Sequence, residues 1–249
     1  MPTRLTIIGA GPGGYVAAIR AAQMGAQVTV VEQSEVGGTC LNWGCIPTKT
    51  LIASAEALEH ARNSAEYGIE LTGEVQYNLN RIRERKDKVV ATQVKGIRAL
   101  FKSRGITLIP GKGSLLSEDV VRSVQKDGTT QDIRSDRIII ATGSRPARVA
   151  GFPFDGKTVM TSDDAVQLKN VPKHILIIGA GVIGCEFAFI YRSLGSAVTV
   201  VELLPRALST EDEDISGIIE RELKKAKITL ITSSSVVTIV KAQEDVVTA

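Results

Sequence analysis

A strand, a glycine turn, a helix and a second strand closing on an acid fill the first 32 residues, and the same series returns 170 residues later. Arg4-Leu5-Thr6-Ile7-Ile8 is rich in β-formers and runs straight into Gly9-Ala10-Gly11-Pro12-Gly13-Gly14. Tyr15 to Met24 is alanine-rich and helical in character, Gly25 ends it, and Gln27-Val28-Thr29-Val30-Val31 leads to Glu32. Each glycine has its own task. Gly9 allows the tight turn, Gly11 lets backbone approach a pyrophosphate at the helix N-terminus, and Gly14 lets helix and strand pack closely. Glu32 can accept from ribose hydroxyls, which completes a βαβ dinucleotide-binding unit.

The second copy has His174 to Ile178 as strand, Gly179-Ala180-Gly181-Val182-Ile183-Gly184 as turn, Cys185 to Leu194 as helix, and Ala197 to Val201 leading to Glu202. Residues 7–32 and 177–202 are identical at 13 of 26 positions, and the copy keeps Gly179, Gly181, Gly184 and its acid. Two independent dinucleotide sites on two similar domains are therefore expected. The fold class is α/β, with two Rossmann-like three-layer domains at 1–148 and 149–249, the second incomplete.

Between the copies, helices are expected from about Cys45 to Asn63 and from about Leu79 to Ser103, the latter with Ile82, Val89, Val94, Ile97 and Phe101 on one side. Ile106 to Pro110, Val120 to Val124 and Arg137 to Ile140 alternate with turn residues and read as a small antiparallel β-meander. The span Pro146 to Gly156 reads as the interdomain connection, and Ser162 as the cap of a short helix. Past Glu202, a helix from about Asp212 to Lys225 and strands near Ile228 to Ile231 and Val236 to Val240 are expected.

With 249 residues and 43% of them hydrophobic, the chain can bury a sizeable core. Thirty basic against 27 acidic residues leave a net charge of +3, which favours neither nucleic acid nor an anionic membrane. The basic run Arg81 to Lys88 reads as a solvated helix face. No apolar run approaches the roughly 18 residues of a membrane span, and the chain is expected to be cytoplasmic.

The remaining feature is Gly37-Gly38-Thr39-Cys40-Leu41-Asn42-Trp43-Gly44-Cys45-Ile46-Pro47-Thr48-Lys49. In an undistorted helix, Cα atoms five apart are roughly 8–9 Å apart, whereas a disulfide needs about 4.4–6.8 Å. Pairing Cys40 with Cys45 therefore requires a bend, which Gly44 and Pro47 can supply. A strained small-loop disulfide suits exchange rather than scaffolding. Zinc is disfavoured, since the chain has only His60 and His174 and neither is near the pair. Both histidines, and Cys185 within the second helix, read as structural.

Together with Ala141-Thr142-Gly143-Ser144-Arg145-Pro146 and the second turn with Glu186, these segments resemble the pyridine nucleotide-disulfide oxidoreductases. The Leu-Asn-x-Gly-Cys-Ile-Pro-Thr-Lys wording is closer to the dihydrolipoamide-oxidising branch than to the glutathione or mercuric reductases, which tend to read Val-Asn-x-Gly-Cys-Val-Pro. The resemblance implies FAD at the first turn and the nicotinamide cofactor at the second. It makes Cys45 the flavin-side thiol, Cys40 the exchange thiol, and Lys49 a cation near flavin N5 whose pairing with Glu186 would tie the two domains. It also implies cofactor contacts at Gly38, Thr39, Gly113, Thr142, Gly143, Ser144 and Val237. Electrons would pass from dihydrolipoamide through the Cys40–Cys45 disulfide and FAD to NAD.

Glu202 favours NAD over NADP, because a carboxylate accepts from a free 2′-hydroxyl and repels a 2′-phosphate; Arg206, four residues on, is the cation that could receive one. Implied partners are dihydrolipoamide or the lipoyl domain of a 2-oxoacid dehydrogenase complex, and a second copy in a homodimer. The family's His–Glu base pair, its later flavin-binding segment and its dimer domain have no counterpart here, so the chain reads as about the first half of such an enzyme. A nucleotide-binding fragment without turnover, or a related glutathione or mercuric reductase, is the alternative.

Overall fold

The computed structural model describes residues 1–149, 151–239, 241–243 and 246–248. The chain divides into two compact units, Met1–Pro47 with Asp87–Arg145, and Thr48–Lys86 with the chain from Pro146 onward. The chain passes between the units at 47/48, 86/87 and 145/146. Residues 48–86 group with the second unit because Leu51 and Leu58 pack in one cluster with Val166, Leu168 and Tyr191.

The first unit is built on a parallel sheet ordered β3-β2-β1-β7, from β1 (Arg4–Ile8), β2 (Gln27–Glu32), β3 (Thr107–Pro110) and β7 (Arg137–Ile140). Side chains alternate across it, and both faces are covered. Leu5, Ile7, Val28 and Val30 join Ile97 and Phe101 of α4 (Leu79–Ser103) and Ala18 of α1 (Pro12–Gln23), while Ile8, Val31 and Ile109 join Val121 and Ile133. A strand buried on both sides must be apolar at consecutive positions, which is why Leu5, Ile7, Ile8 and Val30-Val31 interrupt any simple alternation. Each such side chain fully withdrawn from water contributes about 1.5–3 kcal/mol.

The antiparallel meander is present with a different membership. It consists of β4 (Lys112–Leu115), β5 (Val120–Val124) and β6 (Thr130–Arg134), whereas 107–110 and 137–140 flank the parallel sheet. The reason is pairing. Leu108-Ile109 and Ile138-Ile139 find partners in β2 and β1, and the weakly apolar segments 112–115 and 130–134 pair with β5 instead, the second also through the Arg122–Asp132 ion pair.

The second unit has a parallel sheet ordered β10-β9-β8, from β8 (His174–Ile178), β9 (Ala197–Val201) and β10 (Thr229–Ile231). Against it lies α6 (Val182–Ser193), which buries Phe187, Ala188, Ile190 and Tyr191. The C-terminal carbonyls of α6 are satisfied by side chains from elsewhere in the unit: Arg62 donates to Ser193 O at 2.6 Å and Tyr77 to Leu194 O at 2.8 Å. The 81–88 run is not a wholly solvated face. Lys86 is only 3% exposed and its Nζ lies 3.4 Å from Val166 O, while Arg85 donates to Thr50 O.

Two smaller expectations shift. The short helix α5 (Ser162–Ala165) is capped by Thr161 rather than Ser162, with Asp164 Oδ2 accepting from both the amide and the hydroxyl of Thr161. Residues 236–239 form no strand, and Val240 lies outside the described residues; a two-stranded antiparallel pair follows, β11 (Lys241–Gln243) with β12 (Val246–Thr248). The helix α7 (Glu213–Lys225) starts on an Asp212 cap, its carboxylate accepting from Asp214 N at 2.9 Å. Among the described residues no helix is long and apolar enough to cross a membrane.

Candidate functional site

Three segments converge at the first glycine turn. Gly9 has φ +104° and a Cβ built on it would sit 2.2 Å from Ala141 O; one on Gly14 would sit 1.9 Å from Gly9 O. Gly38 has φ +59° and a Cβ there would reach Gly11 Cα at 2.6 Å, so the loop before the cysteines lies on the turn itself. Thr39 Oγ1 lies 3.4 Å from Ser144 O, which brings Thr142, Gly143 and Ser144 to the same place. The helix α1 opens on Gly11 with no side-chain cap and no acid in its first turn. Its leading amides therefore remain available to an anion, and the side-chain-free cradle around them fits a pyrophosphate.

Glu32 also has a structural role in the turn. Its Oε2 accepts from Ala10 N at 2.6 Å and its Oε1 from Ser34 N at 2.7 Å, so the carboxylate holds the turn and keeps further acceptor lone pairs. Gly113 lies where the meander meets the parallel sheet, and a Cβ there would meet Ile8 Cγ2 at 2.7 Å, so packing accounts for this glycine.

The second turn repeats the first in hydrogen-bond detail. Glu202 Oε2 accepts from Ala180 N at 2.6 Å and Oε1 from Leu204 N at 2.9 Å, and a Cβ on Gly184 would lie 1.9 Å from Gly179 O. Gly179 (φ +100°) and Gly181 have open space where a Cβ would point. The arrangement again fits a dinucleotide, with the Glu202 carboxylate holding the amides of Ala180 and Leu204. Val237 is 88% exposed and lies outside any strand.

The cysteines flank a break between two helices. Cys40 is on α2 (Gly38–Asn42), Trp43 leaves helical geometry at φ −135°, ψ 0°, and α3 (Cys45–Arg62) begins on Cys45. A Cβ on Gly44 would meet Thr39 O at 3.1 Å and Cys40 Cα at 3.3 Å, which shows how closely the chain doubles back on Cys40. The bend is made by Trp43 and Gly44. Pro47 instead occupies the first turn of α3, where its missing amide is no loss. Asn42, part of the Leu-Asn-x-Gly-Cys wording but given no role by it, secures the loop by donating to Val36 O and Gly38 O at 3.1 and 2.9 Å. Cys45 is exposed and Cys40 half-buried.

Lys49 lies one turn beyond Cys45 on α3, and its Nζ is 2.6 Å from Glu186 Oε1 on α6. Because residues from Thr48 onward belong to the second unit, the pair is internal to that unit. His60 meets Tyr67 edge-on and His174 is exposed at the start of β8. Cys185 is buried; loss of solvation chiefly, and the charges of Glu202 and Glu186 in addition, push its thiol up to about 11. At pH 8 its thiolate fraction is then on the order of 10²-fold below that of an ordinary cysteine. Iodoacetamide applied at pH 8 after reduction should label Cys45 and spare Cys185, read by peptide mass spectrometry; equal labelling would contradict the burial.

The family model described as pyridine nucleotide-disulphide oxidoreductase matches residues 3–249. A dihydrolipoyl dehydrogenase of Bacillus subtilis is 42% identical over 252 aligned residues, covering 97% of this chain and 53% of that protein. Among solved structures, LpdA of Mycobacterium tuberculosis superposes with a TM-score of 0.87 at 28% identity, covering 97% of this chain and 53% of that one. The HOCl-induced flavoprotein disulfide reductase RclA of Escherichia coli does so with 0.77 at 29%, covering 96% and 51%. The chain spans about half the length of the curated relatives it matches. With two glycine turns of the same construction, a bent Cys40–Cys45 segment and a family match along nearly its whole length, the chain belongs to the pyridine nucleotide-disulphide oxidoreductases, a family that binds FAD and NAD.

Proposed function

We propose that this chain carries the electron path of a dihydrolipoamide dehydrogenase, with residues 1–148 holding FAD and 149–249 holding NAD. The observation that supports this most is the 2.6 Å Lys49–Glu186 pair, which ties the helix that starts at Cys45 to the helix of the second glycine turn. As a stability element an ion pair with Lys49 56% exposed contributes little, about 0–1 kcal/mol. Its use is to hold a cation in a fixed place.

In the proposed exchange, a dihydrolipoamide thiolate attacks Cys40 Sγ, breaking the Cys40–Cys45 bond and releasing Cys45 as thiolate. The second substrate thiol then attacks the mixed disulfide and releases Cys40, closing the lipoamide ring. Bound FAD supplies a two-electron carrier between thiols and nicotinamide. Over a full cycle the substrate loses two electrons and two protons, NAD takes both electrons and one proton as hydride, and the other proton goes to solvent. Cys45, first in α3, sits where the helix N-terminus favours an anion. Glu32 and Glu202 accept from ribose hydroxyls, and Glu202 disfavours a 2′-phosphate. A lipoyl domain as donor and a homodimeric assembly belong to the same reading.

Lys49→Ala should slow flavin reduction by dihydrolipoamide about tenfold or more, as loss of a charged group acting in the transition state does. Rapid-scanning absorbance measures this, and a wild-type rate would remove Lys49 from the path. Steady-state assays with dihydrolipoamide and NAD against glutathione disulfide and NADPH test the substrate class, and a preference for the second pair would overturn it.

A further inference from the structure

We infer that Arg206 is a positioning residue of the second nucleotide site, an assignment that rests on reading Gly179 to Gly184 as a nicotinamide-dinucleotide turn. Both terminal nitrogens of its guanidinium are committed to its own loop, while the buried Nε has no hydrogen-bond partner among the described residues. Nη1 lies 2.9 Å from Glu213 Oε1, and Nη2 donates to Glu211 O at 3.0 Å and Ser209 O at 3.3 Å. One planar fork thus closes the turn between β9 and α7 and fastens it to the first residue of α7.

That turn is what seats on the glycine loop. Leu208 N donates to Ala180 O at 2.9 Å, and Ala180 N in turn donates to Glu202 Oε2 at 2.6 Å. Ala180 therefore receives the turn at its carbonyl and the carboxylate at its amide. Leu208 adopts φ +48°, a left-handed conformation that a branched side chain takes only when surrounding contacts hold it. Its carbonyl is held by Glu211 N at 2.8 Å and Ser216 Oγ at 3.2 Å, and both Ala207 and Leu208 are buried. Releasing the guanidinium would loosen Leu208, then the Ala180 carbonyl, then the placement of Glu202. In the first copy the residue two before the equivalent contact, Gly37 N to Ala10 O, is Glu35, which pairs with Arg98.

Arg206 accordingly serves the turn and is not a receptor for a 2′-phosphate. The test is calorimetric titration of the flavin-loaded protein with ADP-ribose and with its 2′-phosphorylated form, alongside steady-state kinetics. In Arg206→Ala, ADP-ribose affinity and KM for NAD should each worsen about tenfold, the loss expected for a charged hydrogen-bonding group. KM for the dithiol should hold within twofold, and the preference for unphosphorylated ligand should not change. Arg206→Lys should not rescue, because a point charge cannot span Glu213 and two carbonyls, whereas a phosphate receptor would tolerate lysine. Glu213→Gln, at an exposed side chain, should weaken ADP-ribose about threefold and decides the matter if Arg206→Ala does not fold. Unchanged ADP-ribose affinity in these variants, rescue by lysine, or selective loss of the phosphorylated ligand would overturn the assignment. Absence of ADP-ribose binding to the wild type would overturn the nucleotide-site reading and this inference together.

Discussion

Cys45→Ser is expected to lower dithiol-to-NAD turnover by on the order of 10³-fold or more while the protein keeps its flavin. Serine cannot form the sulfur–sulfur bond, and its hydroxyl does not ionise near neutral pH, so both halves of the exchange are lost. The retained flavin follows from position. Cys45 is exposed at the start of α3 and takes no part in the glycine cradle of residues 9–14 and 37–39, so the substitution opens no cavity and removes no cradle contact. Cys40→Ser should be similarly inactive in turnover but spectrally different. It keeps a Cys45 thiolate, and a long-wavelength shoulder on the flavin bands that is present in Cys40→Ser and absent in Cys45→Ser would separate the two sulfurs. Turnover within tenfold of wild type in Cys45→Ser would sink the dithiol reading, whatever the nucleotides do.

Gly9→Ala and Gly179→Ala should behave very differently although they stand at matched positions of the two copies. At Gly9 a methyl group would lie 2.2 Å from Ala141 O and 2.8 Å from its carbonyl carbon, backbone atoms at the end of β7 that cannot move aside without breaking the parallel ladder. Overpacking of that kind, added to a disallowed φ of +104°, costs about 3 kcal/mol or more. Loss of flavin and a fall in Tm of roughly 10 °C are the expected result. At Gly179 the methyl meets open space, leaving the backbone penalty of φ +100° alone, about 1–2 kcal/mol. Thermal unfolding and flavin content of the two variants measure the contrast. Equal losses would mean that the crowding at Ala141 is not what makes Gly9 necessary.

What the linear chain determined by itself is everything that depends on neighbours within about ten residues. The two βαβ units, the helix limits at Leu79 and Ser103, the strand at 120–124 and the break between Cys40 and Cys45 all follow from local dihedral preferences, glycine placement and apolar spacing. The tertiary structure decided what those segments met. Strands 107–110 and 137–140 carry no local mark that separates them from the meander; they join the parallel sheet because β2 and β1 have open edges there. Lys86 is buried in a basic run that reads as solvated, because Val166 lies 80 residues further along the chain and over it. Glu32 and Glu202 look like ribose ligands in sequence, and only the folded turns disclose that each also holds the backbone amide of residue 10 or 180. Periodicity records which faces of a segment are apolar, but a hydrogen bond or a steric contact needs two partners, and a partner distant in sequence leaves no trace in the segment it will meet.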